Sequence, residues 1–297
     1  MSQGPRAERR RGEHRTTAVV ITRDRSGQLL RSLERLLALP ERPHIVVVDN
    51  ASRDGTAGAV RRRFPAVELI ALERNVGAAA RNVGVSAART PYVAFSDDDS
   101  WWSDGALGRA ADLLDARPRL ALVAARILVG PAERLDPTCL LMAQSPLGGT
   151  PELPGQAVLG FLACGAVVRR SAFQAVGGFR LEDGVGGEEQ LLAVDLAGAG
   201  HELAYVPAIT AHHHPLARRE DWGVRRSERM RNDLWFAWLR RSFAHAAGRT
   251  CRLAVSALVD PHARSALGGA LRRAPQVLAR RRPVGRRLER QLRLLER

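Results

Sequence analysis

The sequence of 297 residues has three cysteines, no lysine and no long hydrophobic run. Cys139, Cys164 and Cys251 are far apart and odd in number, which supports neither a disulfide framework nor a zinc cluster. No apolar stretch approaches the roughly 20 residues that span a bilayer. Residues 1–14 are polar and rich in arginine, without the apolar core of a signal peptide, so we expect a disordered basic tail there. Together these absences indicate a globular protein of a reducing cytoplasm.

The positive charge is large and unevenly distributed. The formal net charge is +15, and arginines are dense from Arg218 to Arg297. Such a surface attracts phosphorylated substrates, anionic lipid or nucleic acid, although an arginine bias of a high-GC genome would produce the same composition. Because no aromatic-interleaved RNA motif or zinc-finger spacing is present, nucleic acid is the least favoured partner. We expect a basic helical region over 219–297, with peripheral contact at the anionic inner face of the plasma membrane.

Dinucleotide and P-loop motifs are also absent. The sequence has no G-x-G-x-x-G after its first strand and no G-x-x-x-x-G-K-[ST], which argues against a dinucleotide oxidoreductase or a P-loop enzyme. The first half instead alternates short apolar runs with apolar stripes at helical spacing, which is typical of βαβ units in a mostly parallel sheet. The predicted strands are 17–22, 45–48, 67–72 and 92–95.

Two of these predicted strands end in polar side chains. Asp49 and Asn50 follow the second strand, and Asp97, Asp98 and Asp99 follow the fourth. Parallel sheets bind ligands beyond the carboxyl ends of their strands, so both groups should face the same crevice. Adjacent carboxylates repel one another, and a hard divalent cation bound through oxygen relieves that repulsion. The structural alternative is an acidic turn that caps the next helix.

The second half carries an acidic pair before a predicted helix. Residues 130–156 are rich in proline and glycine and predict a long loop, after which 159–168 should return to the sheet. Glu188 and Glu189 then precede the helical pattern 191–199. Acidic residues favour helix N-termini, so this pair has a structural explanation as well as a catalytic one.

Three consecutive histidines follow the last predicted strand. They are His212, His213 and His214. Consecutive residues on a strand point to opposite faces, so all three cannot easily bind one ion. We therefore expect one functional histidine and two bystanders.

Several of these segments, taken in order, resemble one family. The segments 17–22, 45–56, 75–82 and 92–99 look like the nucleotide-binding half of the inverting family-two glycosyltransferases with the GT-A fold. Later motifs resemble its acceptor half: Gly177-Gly178-Phe179, Gly187 to Leu192, Tyr205-Val206-Pro207 and the histidines. The resemblance extends over roughly residues 16–215, which is about two-thirds of the chain. It implies a bacterial, rhamnosyltransferase-like enzyme and an α/β fold, a Rossmann-like, mostly parallel central sheet flanked by helices.

The resemblance also implies roles for the acidic strand ends. Asp49 and Asn50 match the place where the family contacts the nucleobase or ribose, and Arg81 matches a position near the nucleotide or diphosphate. Asp97 to Asp99 match the D-x-D motif of the family. Asp99 is then expected to bind the metal directly, while Asp97 and Asp98 hold ribose, metal waters or both. The implied cofactor is Mg²⁺ or Mn²⁺.

The acidic pair and the histidines receive roles in the same way. The pair matches a segment whose second residue acts as the base, which is Glu189 here, with Glu188 as the alternative. His212 or His213 falls where some relatives place a histidine near the metal or diphosphate.

These expectations give one function and two alternatives. The expected enzyme is an inverting, metal-dependent glycosyltransferase that moves a hexosyl or deoxyhexosyl group from a nucleotide-diphosphate sugar to a hydroxyl of a glycan, a lipid-linked glycan or a small molecule. Its GT-A domain should occupy 15–218, with a nucleotide-binding half at 15–100 and an acceptor half at 101–218. The alternatives are a nucleotidyltransferase on a related fold and a non-catalytic, basic surface-binding protein.

Overall fold

The computed structural model describes residues 14–180, 187–215 and 222–296. Residues 1–13 of the expected disordered tail lie outside these ranges, and so does the domain boundary expected at residue 218. The strands of the described chain are β1 (Thr16–Thr22), β2 (His44–Asp49), β3 (Glu68–Ala71), β4 (Tyr92–Asp97), β5 (Ser100–Trp102), β6 (Leu120–Val129), β7 (Arg134–Leu135), β8 (Gln156–Ala157), β9 (Ala166–Arg169) and β10 (Glu202–His213).

Helices surround this sheet and make up the C-terminal region. They are α1 (Ser26–Leu37), α2 (Thr56–Arg63), α3 (Ala80–Ala87), α4 (Ala106–Ala116), α5 (Pro137–Ala143), α6 (Arg170–Ala175), α7 (Glu188–Gly198), α8 (Trp222–Arg240), α9 (Phe243–Ala257), α10 (Pro261–Arg272), α11 (Ala274–Leu278) and α12 (Arg286–Leu294). Short 3₁₀ turns cover Gly77–Ala79 and Ala163–Gly165. Within the described residues, no helix combines the length and the apolar character needed to cross a membrane.

The strands form one mixed sheet in the order β3-β2-β1-β4-β9-β6-β10-β5. The strands β1 to β4 run parallel, and β6 and β10 run parallel to each other. Between these two groups lies β9, which is antiparallel to both neighbours. Buried aliphatic side chains fill both faces of the central strands, as expected where helices cover a parallel sheet. The α/β class with a mostly parallel sheet is therefore confirmed.

The register of the parallel strands brings the acidic strand ends to one edge. Thr22 pairs with Asp49 on one side of β1, and Ile21 pairs with Asp97 on the other. The ends of β2 and β4 therefore lie at the same level, on either side of the end of β1. The sequence expectation of one shared crevice agrees with this register.

The middle of the chain differs from the long loop expected over 130–156. It contains α5, which begins at Pro137. Asp136 caps this helix, because its side chain accepts a hydrogen bond from the Thr138 amide. The helix has seven residues, and it buries only Cys139 and Met142, so it leaves little periodic signal. The prediction of a continuous loop was wrong here, because a short capped helix that buries only two side chains has too few apolar residues to show helical periodicity in the sequence.

The C-terminal helices pack onto the sheet domain through a second apolar cluster. Side chains from α8 to α12, including Trp235, Leu288 and Leu292, join Leu191 and Val194 of α7. A buried ion pair reinforces the contact, since the Arg240 guanidinium donates to Asp195 of α7 at 2.6 and 2.9 Å. The expected helical extension is confirmed, and its apolar stripe at Leu288 and Leu292 is used in packing.

Candidate active site

The three aspartates follow β4 and point to different partners. Asp97 is the most exposed of them, with 32% of its side chain accessible, whereas the side chains of Asp98 and Asp99 are 8% and 5% accessible. The turn is tied down locally, because the Asp97 amide donates to Ser100 Oγ at 2.7 Å and Ser32 Oγ donates to the Asp98 carbonyl at 3.0 Å. The acidic turn is thus rigid, and only Asp97 opens widely to solvent.

A single arginine bridges the two buried aspartates. Arg25 Nη1 lies 3.0 Å from Asp98 Oδ1 and 2.9 Å from Asp99 Oδ2, and Thr22 Oγ1 donates to Asp98 Oδ2 at 3.0 Å. Burial raises the pKa of Asp98 to about 6; the charge of Asp99 adds to this shift, and Arg25 opposes it. Arg25 was not expected from the sequence, although it directly precedes α1 at the carboxyl edge of the sheet.

We predict that Arg25→Met lowers the free energy of unfolding by about 3–5 kcal/mol at pH 7, because it leaves buried carboxylates without a cation. The loss should shrink at pH 5. The pKa of Asp98 is raised in the folded state, so proton uptake at lower pH favours that state. Urea unfolding at both pH values measures the effect. Arg63→Met is the control, since it removes an exposed pair with Glu34 that is worth about 1 kcal/mol at most.

Arg81 binds the exposed aspartate and is itself held by the glycine motif. Its guanidinium donates to Asp97 Oδ1, and it lies 5.5 Å from the centre of the Phe179 ring. Asn82 holds the main chain of Phe179, because its side chain accepts from the Phe179 amide at 2.9 Å and donates to the Phe179 carbonyl at 2.6 Å. A side chain at Gly178 would meet Asn82 Oδ1 at 2.5 Å, so the two hydrogen bonds between Asn82 and Phe179 require glycine at position 178. These hydrogen bonds join Asn82, in the expected nucleotide-binding half, to Phe179, in the expected acceptor half.

Asp49 and Asn50 behave differently although they are adjacent. Asn50 Oδ1 accepts from the Val76 amide at 2.8 Å, and Asn50 Nδ2 donates to the Gly77 carbonyl at 3.0 Å, so its side chain holds the loop before α3. Asp49 Oδ1 accepts from the Ser52 amide at 2.9 Å. The second carboxylate oxygen of Asp49 can therefore accept a hydrogen bond from a ligand at the end of β2.

The three histidines separate onto the two faces of β10. His213 Nε2 lies 3.3 Å from Asp99 Oδ1. His212 contacts Ser103 and Glu133 instead, and it stacks on Trp101 with ring centres 5.4 Å apart. His214 also lies against Trp101. The structure therefore brings His213 to the aspartates and leaves His212 on the far side of the strand.

His213 and Asp99 shift each other's pKa. Burial opposes protonation of His213, but the hydrogen bond and charge of Asp99 outweigh it and raise the pKa of the imidazole. Burial would likewise raise the pKa of Asp99, but the hydrogen bond and charge of His213, with a smaller contribution from Arg25, outweigh it and lower that pKa. Both oxygens of Asp99 are thus engaged by cationic partners.

One group of three residues within the described chain has the geometry of a metal site. A carboxylate oxygen of Asp97, an imidazole nitrogen of His213 and the sulfur of Cys164 all lie within 4.8 Å of one another. Two of the three are residues expected from the sequence to bind metal. The third, Cys164, is a buried residue that lies beside the other two.

Glu189 is the second residue of α7, whose N-terminal cap is Gly187 with a φ of 90°. Burial, followed by the charge of Glu188, raises the pKa of Glu189 to about 7, while Arg81 opposes the shift. Asp97 also contributes to the raised pKa of Glu189, so the two carboxylates share one electrostatic environment. A carboxylate with this pKa can accept a proton near neutral pH.

Comparison with known proteins identifies the family of the chain. Residues 17–177 match the family described as Glycosyl transferase family 2. The chain is 34% identical over 231 residues to the pre-mycofactocin glycosyltransferase of Mycobacterium tuberculosis, which covers 72% of this chain. It spans 46% of that relative, or about half its length. An N-acetylglucosaminyl-diphospho-decaprenol L-rhamnosyltransferase of the same organism is 26% identical over 235 residues, covering 66% of this chain and 75% of its own length.

Solved structures agree on the fold. A mannosyltransferase from Pyrobaculum calidifontis, in complex with GDP-Man and Mn²⁺, superposes with a TM-score of 0.57 at 21% identity, covering 95% of this chain and 86% of its own. S. aureus TarS 1-349, in complex with UDP-GlcNAc, gives a TM-score of 0.58 at 17% identity, covering 80% and 69%. Both likenesses establish the GT-A fold. By its sequence match, which takes in more than half of its residues, the chain belongs to glycosyl transferase family 2.

Proposed function

We propose that this protein transfers a sugar from a nucleotide-diphosphate donor to a hydroxyl group, with inversion at the anomeric carbon. The observation that carries the proposal is the ion pair of Asp97 with Arg81 at the carboxyl edge of the sheet, together with the effect of both charges on the pKa of Glu189. Sugar transfer needs a cationic environment for the leaving diphosphate and a base for the attacking hydroxyl. Family membership favours this reaction over nucleotidyl transfer.

The donor half of the crevice is suited to a nucleotide diphosphate. Asp49 has a carboxylate oxygen available for the ribose or base, as argued above. Arg81, whose side chain is 7% accessible, supplies a fixed cation beside Asp97. Asp98 is held by Arg25 and Thr22, so its part in donor binding is to keep the turn in position.

Asp97 and His213 fit a divalent cation, because their ligand atoms converge within 4.8 Å. The two ligands expected with them are not part of this group: both oxygens of Asp99 are paired, with Arg25 and His213, and His212 pairs with Glu133. Asp97 is paired with Arg81 through one oxygen. A bound Mg²⁺ or Mn²⁺ would neutralise charge that develops on the leaving diphosphate. The mannosyltransferase neighbour, whose structure contains Mn²⁺, supports this proposal.

Glu189 is the proposed base. Its carboxylate would accept the proton of the acceptor hydroxyl as that oxygen attacks the anomeric carbon, and a single displacement of this kind inverts the configuration. Glu188 remains the alternative, since both side chains lie in the first turn of α7. The acceptor is proposed to be a glycan, lipid-linked glycan or small molecule, and the rhamnosyltransferase relative supports a lipid-linked acceptor and a deoxyhexosyl donor.

A donor panel tests this function directly. Release of nucleoside diphosphate would be measured with UDP-GlcNAc, GDP-Man and a dTDP-deoxyhexose, each with Mn²⁺, Mg²⁺ or a chelator. We expect one donor to be turned over in a cation-dependent manner and to raise the melting temperature. A ligand at 100 times its dissociation constant adds about 2.7 kcal/mol of stability, which such an assay detects. Absence of turnover and of a shift with every donor and acceptor class would contradict the proposal.

We also propose peripheral contact with anionic membranes through the basic C-terminal helices. Because α12 uses Leu288 and Leu292 for internal packing, its exposed arginines, not an apolar face, would carry this contact. Arg272 and Arg282 add to the same charged region.

Replacing Arg272, Arg282, Arg286 and Arg287 by Gln should reduce binding to vesicles containing phosphatidylserine, by about 1 kcal/mol for each arginine near the surface. Vesicle sedimentation measures this loss. The control is Arg61→Gln with Arg62→Gln on α2, which removes exposed charge from the sheet domain. Equal binding by the fourfold variant and the wild type would refute this contact.

A further inference from the structure

Cys164 occupies a fixed position beside the proposed cation site. It lies in the 3₁₀ turn Ala163–Gly165 that leads into β9, and it is 5% exposed. The turn is tightly packed, because a side chain at Gly165 would approach Ile127 of β6 to 2.7 Å. The sulfur is therefore held within 4.8 Å of the ligand atoms of Asp97 and His213 by the surrounding sheet.

The three donor atoms form an unusual set for a site that would use Mg²⁺. A carboxylate oxygen, an imidazole nitrogen and a thiolate sulfur together suit borderline and soft cations such as Zn²⁺, Co²⁺ and Cd²⁺. Mg²⁺ prefers oxygen ligands and retains its waters, so it gains little from sulfur.

The other two cysteines have different surroundings. Cys139, on helix α5, is buried against strand β6, where its sulfur accepts from the Ile127 amide at 3.2 Å. Cys251 is exposed on α9. Among the described residues, Cys164 is the cysteine that converges with a carboxylate and an imidazole. This contrast supplies matched controls for a test.

We propose that Cys164 is a third protein ligand of the cation held by Asp97 and His213, and that its sulfur makes the site prefer thiophilic ions over Mg²⁺. This inference rests on the proposed function for the location of the site. On binding, the cation replaces the thiol proton, which passes to solvent, so one proton is released for each ion bound through sulfur. The cysteine thereby determines which cation occupies a site made otherwise of oxygen and nitrogen ligands.

Cobalt titration of the full chain tests the sulfur ligand directly. We expect Co²⁺ to produce a sulfur-to-cobalt charge-transfer band in the near ultraviolet, which Cys164→Ala and Cys164→Ser both abolish. Cys139→Ala and Cys251→Ala should retain the band. A wild-type protein without the band, or a band that persists in both Cys164 variants, would overturn the inference. Circular dichroism of each variant verifies folding, and the serine substitution nearly preserves volume.

Competition titration then measures the selectivity. Loss of the sulfur should weaken Cd²⁺ binding by about 10–100-fold, the range found when residues supporting a metal site are removed, and should change Mg²⁺ binding much less. Equal weakening of both ions would contradict the proposed preference. Nucleoside diphosphate binding with Mn²⁺, measured on the same wild-type sample, reports separately on the proposed function, so the two failures are distinguishable.

Discussion

Glu189→Gln is expected to lower the rate of sugar transfer by about 10²–10⁴-fold, the usual contribution of a general base. The substitution preserves the size of the side chain and removes its ability to take a proton. Donor affinity should stay near the wild-type value, because the donor contacts proposed above involve Asp49, Arg81 and Asp97. Single-turnover transfer and calorimetric titration of the nucleoside diphosphate separate these two quantities.

The pH dependence gives a second readout of the same residue. Because the pKa of Glu189 is raised to about 7, the wild-type rate should fall as the pH drops below about 7 and the carboxylate becomes protonated. That limb of the profile should be missing from the Glu189→Gln variant. Glu188→Gln is the matched control in the same helical turn. A large loss in Glu188→Gln together with a normal Glu189→Gln enzyme would move the base to Glu188.

Asp97→Asn should lower the transfer rate by about 10²–10³-fold, comparable with the loss of one preorganised electrostatic contact in other active sites. The change removes a charge from the most exposed carboxylate of the turn while keeping an oxygen that can accept from Arg81. Calorimetric titration with Mn²⁺ should show a parallel loss of affinity. Asp112→Asn, on the exposed face of α4, removes the same charge away from the crevice and should have little effect.

The comparison with Asp99→Asn distinguishes two assignments of the metal ligand. The sequence resemblance favours Asp99. The contacts favour Asp97, because it converges with His213 and pairs with Arg81 through one oxygen, whereas both oxygens of Asp99 are paired. We therefore expect Asp99→Asn to act mainly on the free energy of unfolding and Asp97→Asn mainly on cation affinity. The opposite pattern would return the direct ligand to Asp99.

The strand ends were predictable from the sequence because short, bounded apolar runs identify buried strands. The runs ending at Asp49 and Asp97 have this form, and the rule that ligands bind beyond the carboxyl ends of parallel strands then joins them. The separation of the histidines follows from the two-residue period of a strand in the same way. These features depend on local pattern and on one general rule of topology.

Other features were missed because they depend on contacts distant in sequence. The strand β6 is a long apolar run that no motif marked, yet it lies near the centre of the sheet and supports the turn at Cys164. Arg25 reaches aspartates more than 70 residues away, and Cys164 meets Asp97 only through the antiparallel insertion of β9 beside β4. A sequence can suggest that such residues are polar or buried, but the sheet order decides what they touch.

In the proposed function, a divalent cation and a nucleotide diphosphate bind together at the carboxyl edge of β1, β2 and β4. Calorimetric titration of UDP, GDP and dTDP into the wild-type protein, with Mn²⁺ and then with a chelator, measures this most directly. We expect at least one nucleotide to bind with Mn²⁺ and its affinity to fall at least about tenfold, or about 1.4 kcal/mol, when the cation is removed. Equal affinity with and without the cation, or no binding of any nucleotide, would contradict it.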